Sequence, residues 1–275
     1  MTVPELITSS ANPLVKRIRA LDSRKIRKRE GAFFLEGVQP VWRAIQAGAE
    51  VEVLVVAPEL VADSFAQDLC DTQVESGTRV AYLSAELFGR ISERKGPTGI
   101  AAVLLGRTGS LNSLEVTATS LFVALHEVSN PGNLGTIVRS ADAAGAAGLL
   151  LLGNCADPFA PAAVKASMGS LYSLPIVAEP LPDEFTAWAH EHGLRLAATS
   201  AHSETPYWDL DLASPTVLLM GSEGAGLPAE LVDRCDLVLQ IPMVGSASSL
   251  NLAAATSIIL FDVLRRRSSL ETAGH

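Results

Sequence analysis

With 275 residues, 48% of them hydrophobic and 19% charged, the chain can build a packed core in one large domain or two modest ones, which excludes a disordered protein. No apolar run approaches the ~20 residues of a membrane span, and MTVPELITSSANPLVKRIR lacks the apolar core of a signal peptide; the three distant cysteines, Cys70, Cys155 and Cys235, suit reduced thiols in a cytoplasmic protein rather than a disulfide framework or a zinc site. The formal net charge of −9 argues against a nucleic-acid partner until its distribution is read: residues 1–30 hold eight basic and three acidic side chains, leaving 13 basic and 27 acidic for the remainder.

In chain order, residues 12–30 and 37–48 read as helices, the first carrying the basic cluster and the second closing at Gly48. VEVLVVAP (51–58) is a β-branched apolar run expected as a buried strand. A helix over 60–70, a strand over 78–84, a short helix at ELFGRIS and a strand over 99–105 complete an α/β module with a parallel or mixed sheet. GRTGSLNSLEVTATS (106–120), rich in Gly, Ser and Thr, is the candidate linker, so the expected division is 1–106, a linker over 107–120, and 121–275.

The second series alternates more regularly. Strands are expected at 121–128, 148–153, 194–200, 216–221 and 237–243, and helices at 137–146, 161–169, 184–193, 228–235 and 249–267. In an open α/β sheet, ligands sit beyond the carboxyl ends of the strands, which directs attention to three loops: SNPGNLGTIVRSAD (129–142), MGSEGAGLP (220–228) and IPMVGSASSLN (241–251). Each sets Gly, Ser and Asn between an apolar strand and a helix, supplying backbone N–H groups and short polar side chains at a helix N-terminus.

Several common fingerprints are missing. No GxGxxG follows the first strand of either half, GSEGAG has the wrong spacing for a dinucleotide loop, and neither a Walker A sequence nor a GxSxG elbow occurs. His190-Glu191-His192 is too tight for HExxH and reads as a solvated helix end, so no metal is expected. His126 reads first as a hydrogen-bonded structural histidine and second as a site residue.

The three loops resemble, in order, spacing and residue type, those of the SpoU/TrmH family of the SPOUT superfamily, the RNA ribose 2′-O-methyltransferases. NPGNLGTIVRSADAAGA is similar to the first family motif, with Asn133 and Arg139; LLMGSEGAGL to the second, centred on Glu223; IPMVGSASSLNLAAA to the third, with Ser249 and Asn251. KASMGSLYSLP (165–175) also resembles a family stretch, and ITSSANPLVKRIRAL, REGAFFLEG and KGPTGIAAV resemble the amino-terminal substrate-binding domain of many members. The wording is nearest to the ribosomal RNA methyltransferases of the antibiotic-resistance type.

The resemblance implies an α/β fold: a carboxy-terminal parallel-sheet SPOUT domain with a trefoil knot, preceded by a smaller L30e-like α/β module, in a homodimer whose active site uses both protomers. It implies S-adenosylmethionine bound against Thr199, Gly221, Ser222, Glu223, Ile241, Pro242, Met243, Ser249, Leu250 and Asn251, although Ile241, Met243 and Leu250 also read as ordinary core. Catalysis would fall to Arg139 with Asn133, Glu223, Ser249 and Asn251, Asn133 in the loop and Arg139 about one turn into the helix. Arginine stays protonated, so a bidentate grip on phosphate and ribose suits Arg139 better than the role of base. Structured RNA, ribosomal RNA in the first place, would be held by Lys16, Arg17, Arg19, Lys25, Arg27, Lys28, Arg29, Arg139 and Lys165. A transfer RNA 2′-O-methyltransferase and a catalytically silent RNA-binding protein on the same fold are the alternatives. A phosphate-handling enzyme with GSEGAG as an anion nest lacks a phosphate lysine.

Overall fold

The computed structural model describes residues 5–62, 64–92, 94–212 and 215–273. The chain divides into two compact units, Met1–Arg107 with Phe159–Lys165, and Thr108–Pro158 with Ala166–His275.

In the first unit the elements are β1 (Leu6–Ile7), α1 (Pro13–Ala20), α2 (Arg24–Glu30), β2 (Ala32–Glu36), α3 (Val38–Gln46), β3 (Val51–Val56), α4 (Ser64–Glu75), β4 (Val80–Leu83), α5 (Ala85–Gly89) and β5 (Ile100–Leu105). The sheet runs β1-β4-β3-β5-β2, with β5 antiparallel to both its neighbours. Leu14, Val15, Ile18 and Leu21 from the amino-terminal segment pack against Val53, Val55, Ala101 and Val103 of the sheet. At about 1.5–3 kcal/mol for each fully buried aliphatic side chain, that segment is part of the core as well as a basic surface.

The single helix expected over 12–30 is two. Asn12 caps α1, its side chain accepting from the Leu14 N–H, and Pro13 fills the first helical position. The chain breaks after Leu21 because Arg27 folds back and donates to the Leu21 and Asp22 carbonyls at 2.7 and 2.8 Å, satisfying acceptors that a helix end otherwise leaves orphaned. Gly31 then stops α2 in the left-handed conformation at φ +59°. The strand that follows, β2, was not expected; AFFLE has no alternation of polarity, since Phe33 and Leu35 are buried and Ala32 is as well.

Arg27→Ala is expected to lower unfolding stability by about 2 kcal/mol, because one buried and one part-buried carbonyl lose a charged donor, whereas a neighbouring exposed substitution, Lys28→Ala, is close to neutral; urea denaturation measures both.

The second unit comprises β6 (Leu121–His126), α6 (Pro131–Ala143), β7 (Gly148–Leu152), β8 (Ile176–Ala178), α8 (Pro182–Glu191), β9 (Arg195–Thr199), β10 (Thr216–Met220), α9 (Ala229–Val232), β11 (Leu237–Leu239) and α10 (Leu252–Ala273); α7 (Pro161–Ser167) spans the division between the units. All six strands are parallel, ordered β11-β9-β10-β6-β7-β8. A fully parallel sheet is covered on both faces, so its strands read as continuous apolar runs: every residue of β7 and β10 is buried. Phe122, Ala124, Leu150 and Leu152 face Phe185 and Trp188 of α8 and Leu231 of α9, while α6 and α10 pack on one another, with Ser257 Oγ donating to Ser140 Oγ at 2.8 Å.

Two expectations shift here. The Gly/Ser/Thr-rich stretch over 107–120 contains a 3-10 turn at Leu111–Ser113, and Leu114 is buried in the core of the second unit. The last strand ends at Leu239, three residues into the run 237–243, so Ile241–Met243 belong to the loop that follows. No described helix is long and apolar enough to cross a membrane.

Candidate active site

Asn130 is the residue that organises the first motif. Its Oδ1 accepts from the N–H groups of Gly132 and Asn133 at 2.8 and 3.2 Å, and Pro131 takes the first helical position, so α6 starts at 131 and not at 137. Asn133 therefore lies in the first turn of the helix rather than in the loop. The glycines at 132 and 135 masked that start, although Asn-Pro is a cap signature visible in the sequence. Arg139 is six residues further along the same helix, about 9 Å down its axis. It is exposed and makes no hydrogen bond or ion pair among the described residues.

The second motif is a tight loop after β10. Ser222 and Gly226 exchange backbone hydrogen bonds of 3.2 and 3.0 Å, and a Cβ on Gly221 would stand 2.1 Å from the Gly226 carbonyl carbon. Only glycine fits that position. The third motif leaves β11 as an extended loop in which, among the described residues, no backbone N–H from Met243 to Asn251 finds an acceptor. It ends at Asn251, whose Oδ1 accepts from the Ala253 and Ala254 N–H groups at 3.0 and 3.3 Å and so caps α10.

A chain of side-chain hydrogen bonds ties the three motifs together. Asn251 Nδ2 donates to Asn133 Oδ1 at 3.1 Å, and Asn133 Nδ2 donates to Glu223 Oε1 at 2.6 Å. Both ends of the Asn133 amide are used. The N-termini of α6 and α10, each a partial positive charge, thereby meet in a network that ends on the Glu223 carboxylate.

The remaining expected cofactor residues lie on the same edge of the sheet. Thr199 closes β9, with its hydroxyl donating to the Leu219 carbonyl at 3.0 Å; Gly221 and Ser222 follow β10; Ile241 and Pro242 follow β11. The ordinary-core alternative for the apolar members does not hold. Met243 is 39% and Leu250 38% exposed, and Ile241 is half-buried. Ser249 is exposed beside Leu250, outside the hydrogen-bonded chain. Exposed apolar side chains beside free backbone donors and acceptors are what an adenosine requires, so these residues fit S-adenosylmethionine.

The basic residues divide. Lys16, Arg19, Lys25, Lys28, Arg29 and Lys165 are exposed, Arg29 with an ion pair of 3.0 Å to Glu30. Arg17 and Arg27, expected among the RNA contacts, are internal supports instead. Arg17 Nε donates to Glu30 at 2.7 Å, its two terminal nitrogens grip Glu52, and these bonds hold both carboxyls below the usual carboxylate range. Arg27 is buried against the carbonyls named above. Sequence alone cannot separate the two groups, because helical position decides which basic side chain faces inward.

His192 lies against the Trp188 ring with its Nδ1 2.9 Å from the Trp188 carbonyl, and among the described residues no three His, Cys, Asp or Glu side chains are gathered as a metal ion would need. Burial pushes the Cys70 and Cys235 thiols up to about 11 and about 12, so both stay protonated at neutral pH. His126 departs from expectation: its Nδ1 is buried and has no hydrogen-bond partner.

Residues 120–261 match the SpoU rRNA Methylase family, and residues 12–102 match the MRM3-like substrate binding domain. A 23S rRNA (uridine(2479)-2′-O)-methyltransferase of Streptomyces viridochromogenes is 36% identical over 92% of this chain and 89% of its own length. A 23S rRNA (guanosine(2553)-2′-O)-methyltransferase of Bacillus subtilis is 30% identical over 93% of this chain and 97% of its own. Among solved structures, an AdoMet-bound rRNA methyltransferase of Sinorhizobium meliloti superposes with a TM-score of 0.85 at 36% identity, covering 95% of this chain and 98% of that one. The SpoU methyltransferase AviRb of Streptomyces viridochromogenes, also in complex with AdoMet, gives 0.85 at 34% identity over 94% and 99%. With the three motif loops joined by Asn133 and with relatives aligned along nearly its whole length, the chain belongs to the SpoU rRNA methylase family.

Proposed function

We propose that the protein transfers a methyl group from S-adenosylmethionine to a ribose 2′-hydroxyl of ribosomal RNA. The observation that carries this reading is the hydrogen-bonded chain Glu223–Asn133–Asn251, which joins all three motif loops on the helix that also bears Arg139. A catalytically silent relative would be free to lose one of these side chains, and none is lost.

Thr199, Gly221, Ser222, Glu223, Ile241, Pro242, Met243, Ser249, Leu250 and Asn251 would hold the cofactor, Ile241, Met243 and Leu250 forming an apolar wall and the loop backbone supplying polar contacts. When bound, it supplies an electrophilic methyl group on a sulfonium. The chain's own task is to align the ribose 2′-oxygen and to let its proton leave. Arg139, permanently charged and solvent-facing, grips the phosphate and ribose of the target nucleotide in bidentate fashion, and the 2′-hydroxyl proton passes to a phosphate oxygen or to water. Asn133, fixed at both amide ends, sets the orientation of α6 and so of Arg139.

In this reading residues 1–106 form the RNA substrate-binding domain, 107–120 connect it to the SPOUT methyltransferase domain over 121–275, and the loop after β11 takes part in a trefoil knot. A homodimer belongs to it as well. On α10, Ile258 and Phe261 are 39% and 47% exposed, three residues apart on one side of the helix, a surface suited to a second copy of the chain. A cytoplasmic site of action belongs to this reading too, because ribosomal RNA is its substrate.

The test is transfer from labelled S-adenosylmethionine to ribosomal RNA and, separately, transfer RNA, followed by nucleoside analysis. A 2′-O-methylated nucleoside in the ribosomal pool is the expected result; label in transfer RNA alone would overturn the substrate, and failure to bind cofactor would overturn the enzyme. Deleting residues 1–30 would strip Leu14, Val15 and Ile18 from the core, so the basic surface is tested by point substitution. Replacing Lys16, Arg19 and Lys25 together by alanine is expected to reduce the slope of log affinity against log salt by about 2, since each lost phosphate contact removes roughly 0.7.

A further inference from the structure

A cavity of about 540 Å³ opens at the carboxyl ends of β6, β7 and β8, and Pro228, the last residue of the second motif loop, also lines it. Leu152, Leu181 and Leu231 give it apolar walls, and His126, Glu179 and Glu230 give it polar ones. The volume lies in the range of small-ligand sites, and the carboxyl edge of a parallel sheet is where such sites form.

Two features mark it as built rather than incidental. Glu127 and Glu179, the residues directly after β6 and β8, have φ of +51° and +59°, a left-handed conformation that glutamate adopts only at a cost in backbone strain. His126 lines the cavity, and its Nδ1 is buried with no hydrogen-bond partner. Glu230 is exposed at the start of α9 and has no ion pair among the described residues, whereas Arg234, which also lines the cavity, is paired with Asp183.

Apolar walls with carboxylate acceptors fit a flat ring that carries adjacent N–H donors on one edge. Among nucleobases guanine presents a ring N–H next to an amino group, matching a carboxylate, while uracil presents one N–H between two acceptors. We propose that this cavity receives an unpaired guanine of the RNA substrate, with Glu230 accepting from its donor edge and the apolar walls packing on its ring. The inference rests on the RNA methyltransferase reading above and adds a specificity site to it.

The test compares the full-length protein with Glu230→Gln, which is isosteric and exposed, and with Leu181→Arg, at a residue 61% exposed whose longer side chain obstructs the cavity. Losing the carboxylate is expected to raise KM for ribosomal RNA about tenfold, with little change in kcat, in cofactor affinity or in Tm. Guanosine monophosphate should inhibit the wild type competitively against RNA and lose that effect in Glu230→Gln, with uridine monophosphate inert in both. Unchanged KM in both variants, with methylation intact, would overturn the cavity assignment and leave the enzyme standing. Guanosine monophosphate binding that responds to the variants while RNA turnover does not would also overturn it, in favour of a free nucleotide. A wild type that transfers no methyl group to any RNA would overturn the function beneath it.

Discussion

Arg139→Ala is expected to leave S-adenosylmethionine affinity and Tm unchanged and to lower kcat for RNA methylation by about 10²–10³-fold, the usual loss when one preorganised charged contact is removed from a transition state. The side chain is exposed and spends no hydrogen bond on the fold, so its removal has no structural route to the same outcome. Arg139→Lys keeps the charge and loses the fork; partial recovery, less than tenfold above alanine, would show that bidentate geometry matters beyond charge. Single-turnover transfer with saturating cofactor measures both. Wild-type turnover in Arg139→Ala would remove the residue from the mechanism.

Gly221→Ala should have the opposite signature. The added Cβ would stand 2.1 Å from the Gly226 carbonyl carbon and 2.4 Å from the Leu227 nitrogen, both backbone, so the Ser222–Gly226 turn must open. Overpacking of this kind costs about 1–3 kcal/mol, which in cofactor binding is roughly 5- to 150-fold. Gly224→Ala is the control, because a Cβ there meets nothing within 4 Å. Isothermal titration with S-adenosylmethionine reads the pair; equal affinities would detach the 221–226 turn from cofactor binding.

Much of this site is legible in the sequence because its parts are local. The three motif loops each follow an apolar strand, and Asn133, Glu223 and Asn251 stand out by type and spacing. Their mutual hydrogen bonds are not legible, since residues 90 and 118 positions apart meet only through the strand order of the sheet. The start of α6 was recoverable from Asn130-Pro131, but two nearby glycines outweighed the cap. Short strands escaped for a different reason: β1 and β8 have two and three residues, too few for any periodicity, and β2 is buried on alternate and adjacent positions alike. The inward turn of Arg17 and Arg27 depends on where the helix breaks, and that break is itself made by Arg27.

Because one helix carries Asn133 at its tip and Arg139 two turns along, in the proposed mechanism the cofactor at the motif loops and the RNA at the arginine act on a single rigid lever. Any free energy with which one of them settles α6 is felt by the other, and equilibrium requires the effect to be mutual: RNA must tighten S-adenosylmethionine by the same factor by which S-adenosylmethionine tightens RNA. Asn133→Ala unfastens the lever at its tip, so the two affinities should become independent of one another even where each is still measurable.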